Sequence, residues 1–250
     1  MKKRFGQHFL TDRSLLGRIV QFAHLSPEDT VVEIGPGTGS LTLALAAAAH
    51  RVIAIEIDRD LIPQLRANVP SNVVIVEGDA LEVDFPKGSF HIVGNLPYNV
   101  ATPLFKRFIE HRDRISGITV MIQKEVADRL TAKPRTHAYG PLSVLIQYYA
   151  NVTQGFTVPP GAFRPPPKVD SAVIRLEWKP DVPEATRFTD FVHEAFSARR
   201  KTLANNLLSM FGSIGREAIL DRLERAGIGA NARPEELSVA EFLRVYNQFR

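Results

Sequence analysis

The sequence predicts an α/β protein, a doubly wound and mainly parallel sheet followed by a small C-terminal helical domain. Three observations carry this expectation. Between residues 30 and 150, short β-branched runs alternate with helix-like segments, which is the pattern of strand–helix–strand units. The apolar runs lack polar alternation, as strands covered on both faces do. After Pro183 the pattern becomes helical throughout.

In chain order, residues 30–34 read as a buried strand and 41–49 as an alanine-rich helix. Residues 51–56 form a second strand and 60–69 a second helix. Runs at 73–76, 91–94 and 118–122 continue the strand series, with helices near 102–111 and 124–132. Residues 142–152 and 171–177 read as later strands. Between them, the stretch 158–167 holds Pro159, Pro160, Pro165, Pro166 and Pro167. That is too much proline for a helix or a central strand, so a rigid exposed loop is expected. Helices follow at 188–196, 202–211, 217–226 and 239–249, with Leu203, Leu207 and Met210 on one face by spacing. Ser238 is placed to cap the last of them, with Glu241 three residues on. The expected domains are 1–182, carrying the chemistry and an N-terminal arm, and 183–250, the helical part.

A chain of 250 residues accommodates one large domain and one small one. Its 44% hydrophobic and 23% charged content is that of an ordinary globular protein. No apolar run approaches the roughly 20 residues of a membrane span. No apolar signal core follows Met1-Lys2-Lys3-Arg4, so the expectation is a cytoplasmic protein with no membrane partner. The absence of cysteine excludes disulfides, thiolate catalysis and cysteine-ligated metals, and no metal site is expected. The net charge of +4 is spread evenly along the chain. Only local clusters could track phosphates: Lys2-Lys3-Arg4, Lys106-Arg107 with Arg112 and Arg114, Arg164 with Lys168, and Arg199-Arg200-Lys201. Each cluster taken alone reads equally as a solvated face.

A glycine-rich turn, Glu33-Ile34-Gly35-Pro36-Gly37-Thr38-Gly39, links the first strand to the first helix. Gly35 and Gly37 allow the sharp turn and let a ligand approach the backbone. The following helix start favours an electronegative ligand. A dinucleotide fingerprint wants glycine at the first, third and sixth positions, but here the sixth is Ser40. Glu56 ends the second strand, 21 residues beyond Gly35, where an acid accepts hydrogen bonds from ribose hydroxyls. Asp79, after the third strand, is placed to accept from an adenine amino group. The plain alternatives are a surface acid at Glu56 and a turn-forming aspartate at Asp79. Their occurrence at successive strand ends favours the ligand reading, because open α/β sheets bind ligands there.

Asn95-Leu96-Pro97-Tyr98 closes the fourth strand at the same rim. An exocyclic aromatic amine is a poor nucleophile because its lone pair is delocalised into the ring. Hydrogen bonds from the amine to the Asn95 side-chain oxygen and the Leu96 carbonyl would favour a pyramidal nitrogen and expose that lone pair. Tyr98 would stack on the ring. A sulfonium methyl donor needs no strong base, so positioning would supply most of the rate. The alternative is an ordinary turn with a packed tyrosine.

With these residues in view, the chain resembles the bacterial small-subunit (16S) ribosomal RNA adenine dimethyltransferases, within the rRNA adenine N6-methyltransferase family. The resemblance runs through Arg4-Phe5-Gly6-Gln7-His8-Phe9-Leu10, residues 33–39 and 52–60, Gly78-Asp79-Ala80 and Gly94-Asn95-Leu96-Pro97-Tyr98-Asn99. It continues in Gln123-Lys124-Glu125-Val126-Ala127, residues 159–176 and Phe196-Ser197-Ala198-Arg199-Arg200-Lys201-Thr202-Leu203. It implies a Rossmann-like class I methyltransferase fold with S-adenosylmethionine as cofactor. His8, Leu10, Gly35, Glu56, Asp79 and Asn95 fall on the family's cofactor contacts, with Gly37 in the same turn. The family usually carries Asn where this chain has His8, and a neutral imidazole can still donate and accept. The implied reaction is four methyl transfers, two to N6 of each of two adjacent adenosines near the 3′ end of small-subunit rRNA. Tyr98 would stack on the flipped adenine, with Phe163 of the proline-rich loop on its other side. The implied partner is small-subunit rRNA within an immature particle, met by a monomer.

Three rivals share part of this pattern. A large-subunit (23S) rRNA adenine methyltransferase of the antibiotic-resistance type would share fold, cofactor and target atom. A protein glutamine N-methyltransferase could use a related turn. A non-catalytic RNA-binding assembly factor would keep the fold without the chemistry. An oxidoreductase is opposed by the glycine spacing.

Overall fold

The computed structural model describes residues 8–10, 12–98, 100–182, 186–198 and 200–250. The Lys2-Lys3-Arg4 cluster, the motif positions before His8, Asn99 and Arg199 lie outside the described residues. In chain order the elements are β1 (Phe9–Leu10), α1 (Arg13–Ala23), β2 (Thr30–Ile34), α2 (Ser40–Ala46), β3 (Arg51–Glu56), α3 (Ile62–Asn68), β4 (Val73–Glu77), β5 (Phe90–Asn95), α4 (Ala101–Glu110) and β6 (Ile115–Gln123). They continue with α5 (Lys124–Thr131), α6 (Pro141–Tyr149), β7 (Ala150–Val158), β8 (Phe163–Arg164), β9 (Ser171–Trp178), α7 (Thr186–Ala195), α8 (Leu203–Phe211), α9 (Gly215–Arg225) and α10 (Val239–Asn247).

The chain forms two compact units, Met1–Ala127 with Asn151–Trp178, and Asp128–Ala150 with Lys179–Arg250. Among the described residues, the first unit holds a seven-stranded sheet in the order β4-β3-β2-β5-β6-β9-β7. Strands β2 to β6 pair in parallel, and β9 runs antiparallel to β6 with Ser171 opposite Gln123. The doubly wound, mainly parallel expectation is borne out. From β2 the chain winds outward to β3 and β4, then returns to place β5 on the other flank of β2. The carboxyl ends of β2 and β5 therefore flank a topological switch point, where α/β sheets form a crevice. The two strands approach closely there, since a Cβ on Gly94 would meet the Ile34 carbonyl oxygen at 2.7 Å.

Helix α1 is an element that the strand–helix reading passes over. Asp12 caps it by accepting from the Ser14 and Leu15 amides at 2.9 and 3.3 Å. Its stripe of Leu15, Leu16, Ile19 and Ala23 enters the core with Leu41 and Leu45 of α2 and Val31, Val52 and Val93 of the sheet. The Asp12 cap and that spacing are the signal for it.

The expected exposed loop at 158–167 is only partly so. Val158 and Phe163 are fully buried, and β8 pairs antiparallel with β1, Leu10 opposite Phe163. The two-residue strand docks the proline-rich segment onto the N-terminal arm.

Residues 142–152 also differ from the expected strand. Helix α6 occupies most of that stretch, and β7 begins only at Ala150. Pro141 stands at its start, and the Gly140 amide donates to the Ser143 hydroxyl at 3.1 Å. Ser143, Val144, Leu145, Ile146, Tyr148 and Tyr149 are all buried. A helix buried on nearly every side shows no polar stripe, so its sequence cannot be told from a buried strand by period.

That helix also moves the boundary of the second unit, expected at residue 183. The Tyr148 ring lies 4.7 Å from Phe188 of α7, and Asp128–Ala150 belongs with the C-terminal helices. Phe188, Phe191, Leu203, Leu207, Ile219 and Phe242 fill this unit's core. Met210, expected on the Leu203–Leu207 face, is 41% exposed near the end of α8. Ser238 caps α10 and exchanges hydrogen bonds with Glu241 at 2.8 and 3.3 Å.

Candidate cofactor and substrate pocket

The carboxyl rim of β2, β3, β4 and β5 opens into a cavity of about 330 Å³ within the first unit. Every rim residue expected from the sequence lines it: Gly35 and Gly37, Glu56, Asp79, and Asn95 through Tyr98. His8 and Leu10 of the N-terminal arm close one side. Phe163 does not line it. That ring lies in the core beneath the arm, with Leu10, Leu15 and Leu16, because pairing with β1 turns it inward. The expected sandwich of a base between Tyr98 and Phe163 is therefore absent from this conformation.

The glycine turn is held by the acid it faces. Glu56 accepts the Gly37 amide on Oε2 at 3.0 Å and the Asp58 amide on Oε1 at 2.8 Å. Gly37 adopts φ +58°, and a Cβ there would sit 2.7 Å from the Phe9 ring, so only glycine fits without displacing the arm. Glu56 is almost fully buried, and this desolvation raises its carboxyl above the usual range, with the two amide bonds opposing it. Each carboxylate oxygen keeps a second acceptor site for a ligand hydroxyl. Asp79 is fixed as a turn residue by the Leu81 amide at 2.9 Å. The two readings of Asp79 coexist, since it forms the turn and lines the pocket.

Asn95 stands at the end of β5. Its Nδ2 donates to the His8 carbonyl oxygen at 2.9 Å. Its Oδ1 is buried and has no hydrogen-bond partner, an acceptor awaiting a donor. The Leu96 amide donates to the Met121 carbonyl at 3.0 Å, pinning the turn to β6. Tyr98 bonds Ser171 through their hydroxyls at 2.6 Å, and the His8 ring lies 5.7 Å away at 28° to its plane. Burial pushes the Tyr98 phenol up, partly offset by Ser171, so the hydroxyl is neutral at pH 7. His8 Nδ1 lies 2.8 Å from the Pro165 carbonyl oxygen. A carbonyl only accepts, so Nδ1 carries the proton and Nε2 is the acceptor in the neutral ring.

Among the described residues, no group of three or more His, Cys, Asp or Glu side chains could hold a metal ion. No helix there is long and apolar enough to cross a membrane.

The ribosomal RNA adenine dimethylase family matches this chain over residues 1–250. The chain belongs to that family. It is 41% identical to "Ribosomal RNA small subunit methyltransferase A" of Pseudomonas fluorescens, covering 99% of this chain and 93% of the relative. The structure of a dimethyladenosine transferase from Plasmodium falciparum superposes with a TM-score of 0.87 at 29% identity, over 97% of each chain. That of the 23S rRNA methyltransferase ErmE gives 0.75 at 30% identity, over 96% of this chain and 98% of the other.

In this member of the dimethylase family, sequence reasoning missed one buried pocket acid. Glu33, just before the glycine turn, lines the cavity at 1% exposure. Burial pushes its carboxyl up to about 8, with Thr42 opposing and Glu56 adding to the rise. Its Oε2 has no hydrogen-bond partner. Its place two residues before Gly35 is visible in the chain, but the turn of its side chain into the pocket is a property of the fold. Two members of the basic cluster at 106–114 are committed elsewhere, while Lys106 is exposed. Arg107 donates to the Leu81 and Val83 carbonyls, and Arg114 to that of Pro86 at 3.2 Å. These guanidiniums hold the loop before β5 in place of a phosphate track, whereas Arg164, Lys168, Arg200 and Lys201 are exposed.

Proposed function

We propose that this protein uses S-adenosylmethionine to dimethylate N6 of two adjacent adenosines near the 3′ end of small-subunit rRNA, acting as a monomer on an immature particle. The observation that carries the chemistry is the orphaned, buried Oδ1 of Asn95 in the pocket. The 41% identity to the small-subunit enzyme, against 30% to the 23S enzyme ErmE, favours the small-subunit substrate.

The pocket fits an adenosine-bearing cofactor on its own chemistry. Glu56 and Asp79 place two acceptors on adjacent strand ends, and Glu33, whose carboxyl holds its proton near neutral pH, adds an unpartnered Oε2. Glu56 would take the ribose hydroxyls, Asp79 the adenine amino group, and Gly35 and Gly37 would let the ligand lie against backbone. His8 and Leu10 would close the side. When bound, S-adenosylmethionine supplies an electrophilic methyl group on a sulfonium.

The remaining work falls to the Asn95–Tyr98 turn. Asn95 Oδ1 would accept one N–H of the target amine, drawing the nitrogen toward a pyramidal shape and freeing its lone pair. The Leu96 carbonyl would accept the other. Tyr98 would stack on the extruded base and fix its plane. The amine loses its proton readily after transfer, so orientation rather than a strong base sets the rate. Arg164, Lys168, Arg200 and Lys201, with the second unit, would meet RNA phosphates.

The test is nucleoside mass analysis of immature small-subunit RNA after incubation with the protein and S-adenosylmethionine. N6,N6-dimethyladenosine at two adjacent positions is expected. A methylcytosine product, or modification of large-subunit RNA alone, overturns the substrate assignment.

A further inference from the structure

Ser171 falls within the 159–176 stretch of the family resemblance with no part assigned to it in the chemistry, yet its side chain holds the aromatic residue at the centre of that chemistry. It is the first residue of β9, fully buried, and opposite Gln123 in the antiparallel ladder with β6. Its position is thus set by the sheet itself. Its Oγ lies 2.6 Å from the Tyr98 hydroxyl, a short contact for an O–H···O hydrogen bond. At its other end the Tyr98 ring is tied to Pro97, and one neighbour in ring contact is His8. Without the bond at its tip, a half-buried tyrosine ring can swing about its side-chain torsions. A ring that swings cannot hold a base in one plane.

We propose that Ser171 is a positioning residue for methyl transfer, anchoring the Tyr98 hydroxyl so that the ring presents one fixed plane to the target adenine. The inference rests on the reading of Tyr98 as the platform for that base. It also predicts an asymmetry between the two transfers to one nitrogen. The first product, N6-methyladenine, carries a methyl group that must be turned away before the second transfer. That leaves fewer productive orientations, so the second transfer depends more strongly on a fixed ring plane. A loosened ring therefore slows the second step more than the first.

The experiment compares the full-length protein with Tyr98→Phe, Ser171→Ala, the double variant, Ser171→Thr and Tyr98→Ala. Single-turnover rate, cofactor dissociation constant and the ratio of monomethyl to dimethyladenosine are read for each on small-subunit RNA. Tyr98→Phe and Ser171→Ala should each slow transfer by roughly tenfold, the scale of one lost hydrogen bond. The double variant should be no slower than either single one, the cofactor constant should hold, and monomethyladenosine should accumulate. Ser171→Thr, which restores a hydroxyl, should recover dimethylation. If Tyr98→Ala cripples transfer while Tyr98→Phe and Ser171→Ala behave as the parent, the anchoring role of Ser171 is wrong and the platform stands. If Tyr98→Ala transfers methyl groups normally, the platform reading fails and the anchoring role with it.

Discussion

Asn95 donates its side-chain amide to the carbonyl oxygen of His8 at 2.9 Å, across 87 residues of sequence. That bond decides which end of the amide faces the pocket. With Nδ2 committed to the arm, Oδ1 is left as the acceptor, which is the polarity an amine substrate requires. The arm thus does more than close the cavity.

Asn95→Asp tests this orientation. A carboxylate has no N–H for the His8 carbonyl, so oxygen would face oxygen at 2.9 Å and the side chain would rotate or displace the arm. Methyl transfer should fall on the order of 100-fold or more, as when one oriented polar group is lost from an active site. Thermal unfolding and single-turnover assays together check it, and a rate within a few-fold of the parent would refute it.

Glu33 gives the pocket a pH signature in stability. Its carboxyl is raised from 4.5 to about 8 in the folded protein, so the native state binds a proton that the unfolded chain has released. Its contribution is fully present below pH 4.5, declines as pH rises toward 8, and is gone above that. The slope approaches about 1.4 kcal/mol per pH unit within that window. Glu33→Gln should remove this part of the dependence, which denaturant unfolding between pH 5 and 8.5 would measure.

Arg107 ties helix α4 to the loop that follows Asp79. Its guanidinium bonds the Leu81 and Val83 carbonyls and lies over the Phe85 ring at 4.7 Å. Arg107→Met keeps much of the apolar contact and removes both donors. A stability loss of about 2–4 kcal/mol is expected from two charge-assisted bonds, with weaker cofactor binding because Asp79 shares that loop. Urea unfolding and cofactor titration decide it; unchanged cofactor affinity would sever the link to Asp79.

Phe163→Leu separates burial from stacking. The ring is fully buried in the core, so the variant should lose about 1–3 kcal/mol of stability yet still methylate RNA below its melting temperature. A folded variant that cannot methylate would show that Phe163 reaches the substrate in another conformation.

The strand ends were legible because a parallel sheet puts every carboxyl terminus on one rim. Glu56, Asp79 and Asn95 follow three such runs and therefore had to converge. Helix α6 was not legible, since burial on nearly all sides erased the period that distinguishes helix from strand. Phe163 misled for the opposite reason. Five nearby prolines announce surface, while its burial comes from pairing with Leu10.

The parallel sheet, the rim that carries the pocket, the family and the residue types along that rim can be read from the chain alone. These follow from local period, turn chemistry and motif spacing. The direction of the Asn95 amide, the burial of Phe163 and the hydrogen bond between Tyr98 and Ser171 come instead from long-range packing. The partners in the Asn95–His8 and Tyr98–Ser171 bonds stand 87 and 73 residues apart. Sheet register and the docking of the arm bring them together, and neither is encoded in a local pattern of residues.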